Sequence, residues 1–168
     1  ASAVGVRRAW SVVLGGGIRL MARYGELHAH SGFSFLDGAS DPEELVVTAS
    51  QLNLSALALT DHHGLYGVVR FAEAARAVGL PTIFGAELTM ATGGTRVGVN
   101  DPEGEHLVVL ARNPEGYRRL STVLAEGHLR HGEKGTPVFT YEELEAHAPW
   151  WRILTGCRKG PLTRILVR

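Results

Sequence analysis

An α/β fold assembled from βαβ units is predicted by two observations. From Arg23 onward, short apolar runs of strand length alternate with segments of helical periodicity. Acids and imidazoles then recur at the ends of those runs, the positions from which the loops of an α/β barrel build active sites. The 168 residues, 45% hydrophobic and 20% charged, suffice for one domain with its own core.

The elements follow in order. Residues 1–22 show no clear periodicity and read as a poorly ordered leader, with Met21 a candidate start; residues 23–168 form the domain. Residues 24–30 read as the first strand. Ser40-Asp41-Pro42-Glu43-Glu44 is a helix start, with a capping residue, a proline in the first turn and acids facing the dipole. Leu45, Ala49 and Leu52 share a face of that helix, and Asn53 can close it. Residues 56–60 form a fully apolar strand of the buried parallel type. Residues 66–78 form the second helix, ended by Gly79 and Pro81, and 82–86 the third strand. Residues 88–99 suggest a hairpin turning at Gly93-Gly94. Residues 106–111 are another buried strand, and Asn113-Pro114-Glu115 starts a helix that runs to Gly127. A polar loop is expected over 128–137, a short helix over 141–146, a strand over 153–155 and a helix from Pro161 onward.

Composition narrows the function classes. The apolar content excludes a disordered chain, and the lack of repeats excludes collagen-like and coiled-coil classes. No run of 18 apolar residues exists, so no membrane association is expected. Arg7-Arg8 and the apolar residues after them break at Gly15-Gly16-Gly17, too early for a secretory signal. Seventeen Lys and Arg balance seventeen Asp and Glu, so the chain as a whole lacks the positive charge of a typical nucleic-acid binder. Four Arg and no acid lie in residues 1–25, and four Arg, one Lys and no acid in 151–168. A single cysteine, Cys157, suits a reducing cytoplasm.

Eight histidines carry the chemistry. His28 and His30, two apart on a strand, point to one face and make a natural ligand pair; an exposed pair on an edge strand has the same signature. Thr60-Asp61-His62-His63-Gly64 follows the second strand, Gly85-Ala86-Glu87 ends the third, His106 opens the next, and Cys157 follows the last. A carboxylate such as Glu87 can bridge two cations, and paired cations serve phosphoryl displacement. Imidazole-rich ligation selects Zn, Mn or Fe over Mg or Ca. The class implied is metal-dependent phosphoester hydrolysis.

Several segments resemble a known family. Glu26-Leu27-His28-Ala29-His30-Ser31, with Phe35-Leu36-Asp37-Gly38-Ala39-Ser40, is similar to the first motif of the PHP (polymerase and histidinol phosphatase) superfamily. Thr60-Asp61-His62 resembles its second motif and Gly85-Ala86-Glu87 its third. Leu65-Tyr66-Gly67-Val68, the segment from His106 to Asn113, and Gly116-Tyr117 resemble the N-terminal domain of the bacterial DNA polymerase III alpha family. Leu154-Thr155-Gly156-Cys157-Arg158-Lys159-Gly160 resembles its error-prone branch in particular. The likeness runs from Tyr24 to Leu166.

The resemblance implies a distorted (β/α)7 barrel, incomplete at its C-terminal end. It implies a metal cluster on His28, His30, Asp37, His62, Glu87, His106 and Cys157: one ion on His28, His30 and Glu87, a second on Glu87, His106 and Cys157, and part of a third site on Asp37 and His62. His28, His30 and Glu87 would carry catalysis. An Asp and a His that complete the family's first and third positions come from a late strand and are not in this sequence. A closed β/α barrel takes about 250 residues, so the chain reads as a truncated piece, and an open barrel of this kind is expected to oligomerise or dissolve poorly. The implied function of the whole protein is DNA synthesis in damage tolerance and repair, with DNA and other replication or mutasome subunits as partners. The fragment itself would be a metal-dependent phosphoesterase, a 3′ to 5′ exonuclease. A stand-alone phosphatase of small monoesters and a catalytically silent structural module are the alternatives.

Other residues carry plainer readings. Asp61 is expected to orient a neighbouring ligand rather than bind metal. His63, His128, His131 and His147 are expected to be solvated. Cys157 is open to reading as a ligand, a nucleophile or a buried apolar filler, with the ligand preferred. Trp150-Trp151 fits packing better than base stacking, and Arg158-Lys159 fits phosphate contact and a solvated helix face equally.

Overall fold

The computed structural model of the protein describes residues 23–90, 104–130, 132, 135–156 and 158–166. The leader, the tip of the hairpin expected at Gly93-Gly94, His131 and Cys157 lie outside the described residues. The elements are β1 (Gly25–Glu26), α1 (Pro42–Gln51), β2 (Ala56–Leu59), α2 (Val68–Val78), β3 (Thr82–Met90), β4 (Glu105–Ala111), α3 (Pro114–Arg130), α4 (Tyr141–His147), a 3-10 turn (Ala148–Trp150), β5 (Trp151–Leu154) and α5 (Pro161–Leu166). One sheet runs in the order β1-β2-β3-β4-β5 and curls as half of a barrel.

Local sequence sets the first half. The Glu44 side chain accepts the Asp41 backbone N–H at 3.1 Å, fastening the start of α1. At the other end Asn53 adopts φ 54. This lets Asn53 N–H reach the Ser50 carbonyl and Leu54 N–H the Ala49 carbonyl, both at 3.0 Å, a Schellman closure that needs a residue tolerant of the left-handed region. Gly79, at φ 69, ends α2 in the same way. The expected βαβ alternation holds from β1 to β3, which pair in parallel.

Beyond β3 the sheet changes sense: β4 pairs antiparallel with β3, and β5 antiparallel with β4. Four boundaries differ most from expectation. The first strand is ladder-bonded only over Gly25–Glu26. Past that point the chain splays from β2 and rejoins it where Thr60 N–H meets the Ala29 carbonyl at 2.9 Å and Thr60 Oγ1 accepts Ala29 N–H at 3.1 Å. Gly85-Ala86-Glu87 does not end β3, which continues to Met90 because β4 offers it partners from Leu110 to Glu105. Helix α3 runs through Gly127 to Arg130, so His128 is helical rather than in a loop. Gly127 is a packing site instead of a stop: a Cβ there would lie 2.4 Å from Cε1 of Phe139. Finally, β5 occupies Trp151–Leu154 rather than 153–155.

Strand alternation sorts the core. Ala86, Leu88, Leu107 and Val109 face α3 and α4, joining Leu120, Val123, Leu124, Phe139, Leu144 and Trp151. Leu57 and Leu59 pack under α1 and α2 with Val46, Val68 and Phe71. The alternate residues Ala58, Val108 and Leu110 fill the opposite, concave face. Glu87 and Val108 are register partners, as are Thr89 and His106, so these four belong to that same face. Trp151 is buried with its indole N–H on the Gly116 carbonyl at 2.9 Å, in line with the packing expected of it.

Candidate metal centre

The site is built around one buried carboxylate. Glu87 sits mid-strand in β3 with its side chain 2% exposed, and four imidazoles converge on it. Its Oε2 faces His28 Nε2 in a short contact and His30 Nε2 at 3.4 Å. Its Oε1 faces His106 Nδ1 at 2.6 Å and His62 Nδ1 at 3.6 Å. Each oxygen therefore has its own histidine pair. Asp37 extends the cluster, its Oδ2 standing 3.1 Å from His62 Nε2. The side chains open outward from Glu87 and His106, at 2% and 4% exposed, to His28 at 28%.

Each element has a reason to be there. His28 and His30 keep the parity of an extended chain, which is why both reach the same carboxylate. His62 enters through a parallel bridge between its backbone and that of Glu87. Asp37 is delivered by a tight loop in which Asp37 N–H and Gly38 N–H both donate to the Ser34 carbonyl, at 2.9 and 2.8 Å. Gly38 is required in that loop, because a Cβ there would fall 2.0 Å from the Ser31 carbonyl oxygen.

Asp61 holds this arrangement together without touching it, as expected. Its Oδ1 accepts Ser31 N–H and Ser34 O–H, and its Oδ2 accepts Ser31 O–H, all at 2.7 Å. Ser34 Oγ in turn accepts the His62 backbone N–H at 3.0 Å. The knot ties the loop after His30 to the loop after β2. Sequence reasoning missed Ser31 and Ser34; two hydroxyls spaced by three residues in a loop facing a buried Asp are the signal that marks them.

The electrostatics follow from burial and crowding. Burial pushes the Glu87 carboxyl up, but the His106, His28 and His30 nitrogens that face it and the charge of His62 outweigh it and hold the group far below the usual carboxylate range. Burial pushes the His62 imidazole down, with His30 and His106 adding to that and Glu87 and Asp37 opposing it. His63, expected to be solvated, is buried instead: it stacks on Phe139 with ring centroids 5.7 Å apart, and burial lowers it to about 3. His63 adopts φ 53, and its ring also lies 5.9 Å from that of His62. His128, also expected to be solvated, meets the His63 carbonyl through Nε2 at 2.8 Å.

The residues fit a cation. Buried His30 Nε2 and His62 Nδ1, both beside Glu87, have no hydrogen-bond partner. Orphaned nitrogens next to an ionised carboxylate are what a metal would satisfy. Ligand atoms of His28, His30 and Glu87 all lie within 4.8 Å of one another, close enough to share one ion. Of the seven residues singled out in the sequence, six come together; the seventh, Cys157, lies outside the described residues, while its neighbour Gly156 packs against the His106 carbonyl.

Comparison with known proteins shows the family. The PHP domain family matches over residues 26–168. A protein named error-prone DNA polymerase from Mycolicibacterium paratuberculosis is 60% identical over 144 residues, which cover 85% of this chain and 13% of that protein. Another of that name from Cutibacterium acnes is 56% identical over 147 residues, 86% of this chain and again 13% of the relative. The chain thus spans about an eighth of the length of these relatives. A solved structure from Bifidobacterium adolescentis, assigned as a metal-dependent phosphoesterase, is 28% identical with a TM-score of 0.47, covering 65% of this chain and 35% of that one. A match that spans nearly every residue from Glu26 onward and takes in all six converging side chains makes this chain a member of the PHP domain family.

Proposed function

We propose that this domain is a metal-dependent phosphoesterase that removes nucleotides from DNA 3′ ends, as the N-terminal part of an error-prone DNA polymerase. The observation that carries the proposal is the division of labour on Glu87: one histidine pair on each carboxylate oxygen, the arrangement a bridging ligand between two ions needs. His28, His30 and Glu87 would hold one ion, Glu87, His106 and Cys157 a second, and Asp37 with His62 part of a third. Four imidazoles favour Zn, Mn or Fe. Ions held there would supply a nucleophile from water at neutral pH and offset charge on a leaving oxygen.

The chain's own groups do the rest. Glu87 stays ionised and brings the histidine pairs to fixed positions, while Asp61 fixes the loop that presents Asp37. Template-directed synthesis in damage tolerance belongs to the whole protein in this reading, and the names of the relatives support it.

Shortening of a 5′-labelled DNA strand from its 3′ end, stimulated by Mn²⁺ or Zn²⁺, is the expected activity. His30→Ala is expected to abolish it, and full activity in that variant would sink the assignment. Stoichiometric metal without hydrolysis would favour a silent structural module.

A further inference from the structure

Three aromatic rings stand exposed on the two loops that bring in Asp37 and His62. Phe33 and Phe35 precede Asp37 in the first loop, and Tyr66 follows His62 in the second. Phe35 is 66% exposed, Tyr66 55% and Phe33 40%. Phe33 and Tyr66 face each other across the loops, with ring centroids 6.3 Å apart and planes inclined by 34°. Leu36, between Phe35 and Asp37, is itself largely exposed and held at φ 74. A bulky side chain in that region carries strain, and strain of this kind collects at functional loops.

These rings are not on a slack segment. The Asp61 knot ties Ser31 and Ser34 down on either side of Phe33, whose own N–H donates to Ser31 Oγ at 3.3 Å. Gly32 N–H closes the loop onto the Ser40 carbonyl at 2.8 Å. Phe33 also packs near Gly67, where a Cβ would come within 3.0 Å of its ring. The rim is a pinned apolar surface beside a phosphoester site.

Charge narrows what that surface could grip. No Lys or Arg occurs between residues 24 and 69, so neither loop carries a cation for a phosphate backbone. A ligand that reaches beyond the metal cluster onto this rim is read through flat apolar faces. Nucleobases have such faces and small phosphate monoesters do not. Stacking on aromatic side chains is tolerant of sequence and strong per base.

We propose that Phe33, Phe35 and Tyr66 form a stacking platform for the bases of a single-stranded DNA end whose phosphodiester lies at the Glu87 cluster. The inference rests on the phosphoesterase reading above and names the substrate class by its bases. It follows that the platform's contribution to binding depends on the presence of bases and hardly on salt, because no counterions are released at a surface without cations.

The test is fluorescence anisotropy of the full 168-residue chain, in chelator, with a labelled ten-nucleotide dT strand and an abasic strand of equal length. The dT strand should bind at least roughly 5-fold more tightly. Phe35→Ala and Tyr66→Ala should each erase a large part of that preference, leave abasic binding unchanged, and do so equally at low and high salt. Phe35→Tyr should keep it. Both Ala substitutions are at exposed positions, and unchanged urea midpoints would confirm intact folding. Equal affinity for the two strands, or variants that bind dT like the parent, would overturn the platform. Hydrolysis of bis(p-nitrophenyl) phosphate with Mn²⁺ reads the metal chemistry separately. Its failure with base preference intact would remove the reaction and leave the platform.

Discussion

Glu87 carries more of this molecule than any other side chain. A carboxylate buried among imidazoles is tolerable only because each oxygen has donors. Glu87→Gln keeps the size but replaces one acceptor oxygen with a donor facing a histidine pair. That variant should lose bound metal at both proposed positions together, read as metal content after gel filtration; loss of one equivalent alone would contradict a bridging role. Asp61 is a different case, since it touches none of the converging histidine rings. Asp61→Ala strands the Ser31 N–H and two hydroxyls and should cost about 3 kcal/mol in urea unfolding. Asp61→Asn, which keeps an acceptor oxygen, should cost less. At this scale the sequence was informative. The i, i+2 histidines, His62, Glu87 and His106 were visible as ligand types near strand ends, and these five converge, with Asp37, which the family resemblance implied, beside His62. His63 was not legible: a histidine next to His62 looks like a solvated loop residue, whereas its ring is buried against Phe139 from the following half of the chain.

Among the elements, α3 shows where local signals mislead. Gly127 and the polar residues after it read as a helix stop, yet tertiary packing against Phe139 overrides that signal. Gly127→Ala gains helix propensity of up to about 1 kcal/mol. The new Cβ, 2.4 Å from the Phe139 ring, should reverse that gain and leave a net loss of roughly 1–2 kcal/mol, seen as a lower melting temperature. Combining it with Phe139→Leu should recover part of the loss. The first turn of α3 gives a pH signature. Glu115 bonds to Arg118 and Arg119, which lower it to about 2 against the opposing effect of desolvation. Its folded value lies below its unfolded value, so its contribution is present above pH 4.5 or so and fades as pH falls toward 2. Glu115→Gln should therefore differ slightly from the parent at pH 7, with the difference shrinking steadily as pH falls from 4.5 through 2, in parallel urea titrations. The strands were harder to read than the helices. Nothing in the run from residue 82 to residue 90 says that its second half pairs antiparallel, because direction is set by a partner fifteen or more residues away.

For the molecule as a whole, the two edge strands of the sheet among the described residues are short, β1 with two residues and β5 with four. Short edges offer little for another chain to pair with. Among the described residues no helix is long and apolar enough to cross a membrane. If the centre holds metal, folding and loading are linked: an ion at about a hundredfold excess over its Kd should add roughly 3 kcal/mol. For a chain of this length that is a rise of about 5–10 °C in melting temperature. Differential scanning calorimetry with and without chelator checks it, and an unchanged melting temperature would argue against any tight site.

The centre also serves as an alignment gauge for the sheet. Glu87 and His106 meet because β3 and β4 are zipped with Glu87 opposite Val108 and Thr89 opposite His106. A slip of one residue would turn one strand's even-numbered side chains to the helical face and separate the carboxylate from the imidazole that reaches its Oε1. Capture of Oε1 by His106 therefore reports a correctly aligned β3–β4 pair, whereas His28 and His30 from the segment after β1, and His62 from the loop after β2, reach Glu87 whatever β4 does. In refolding, spectroscopic signals from the two histidine pairs should be separable in time, with the His106 signal appearing only after the antiparallel ladder has locked.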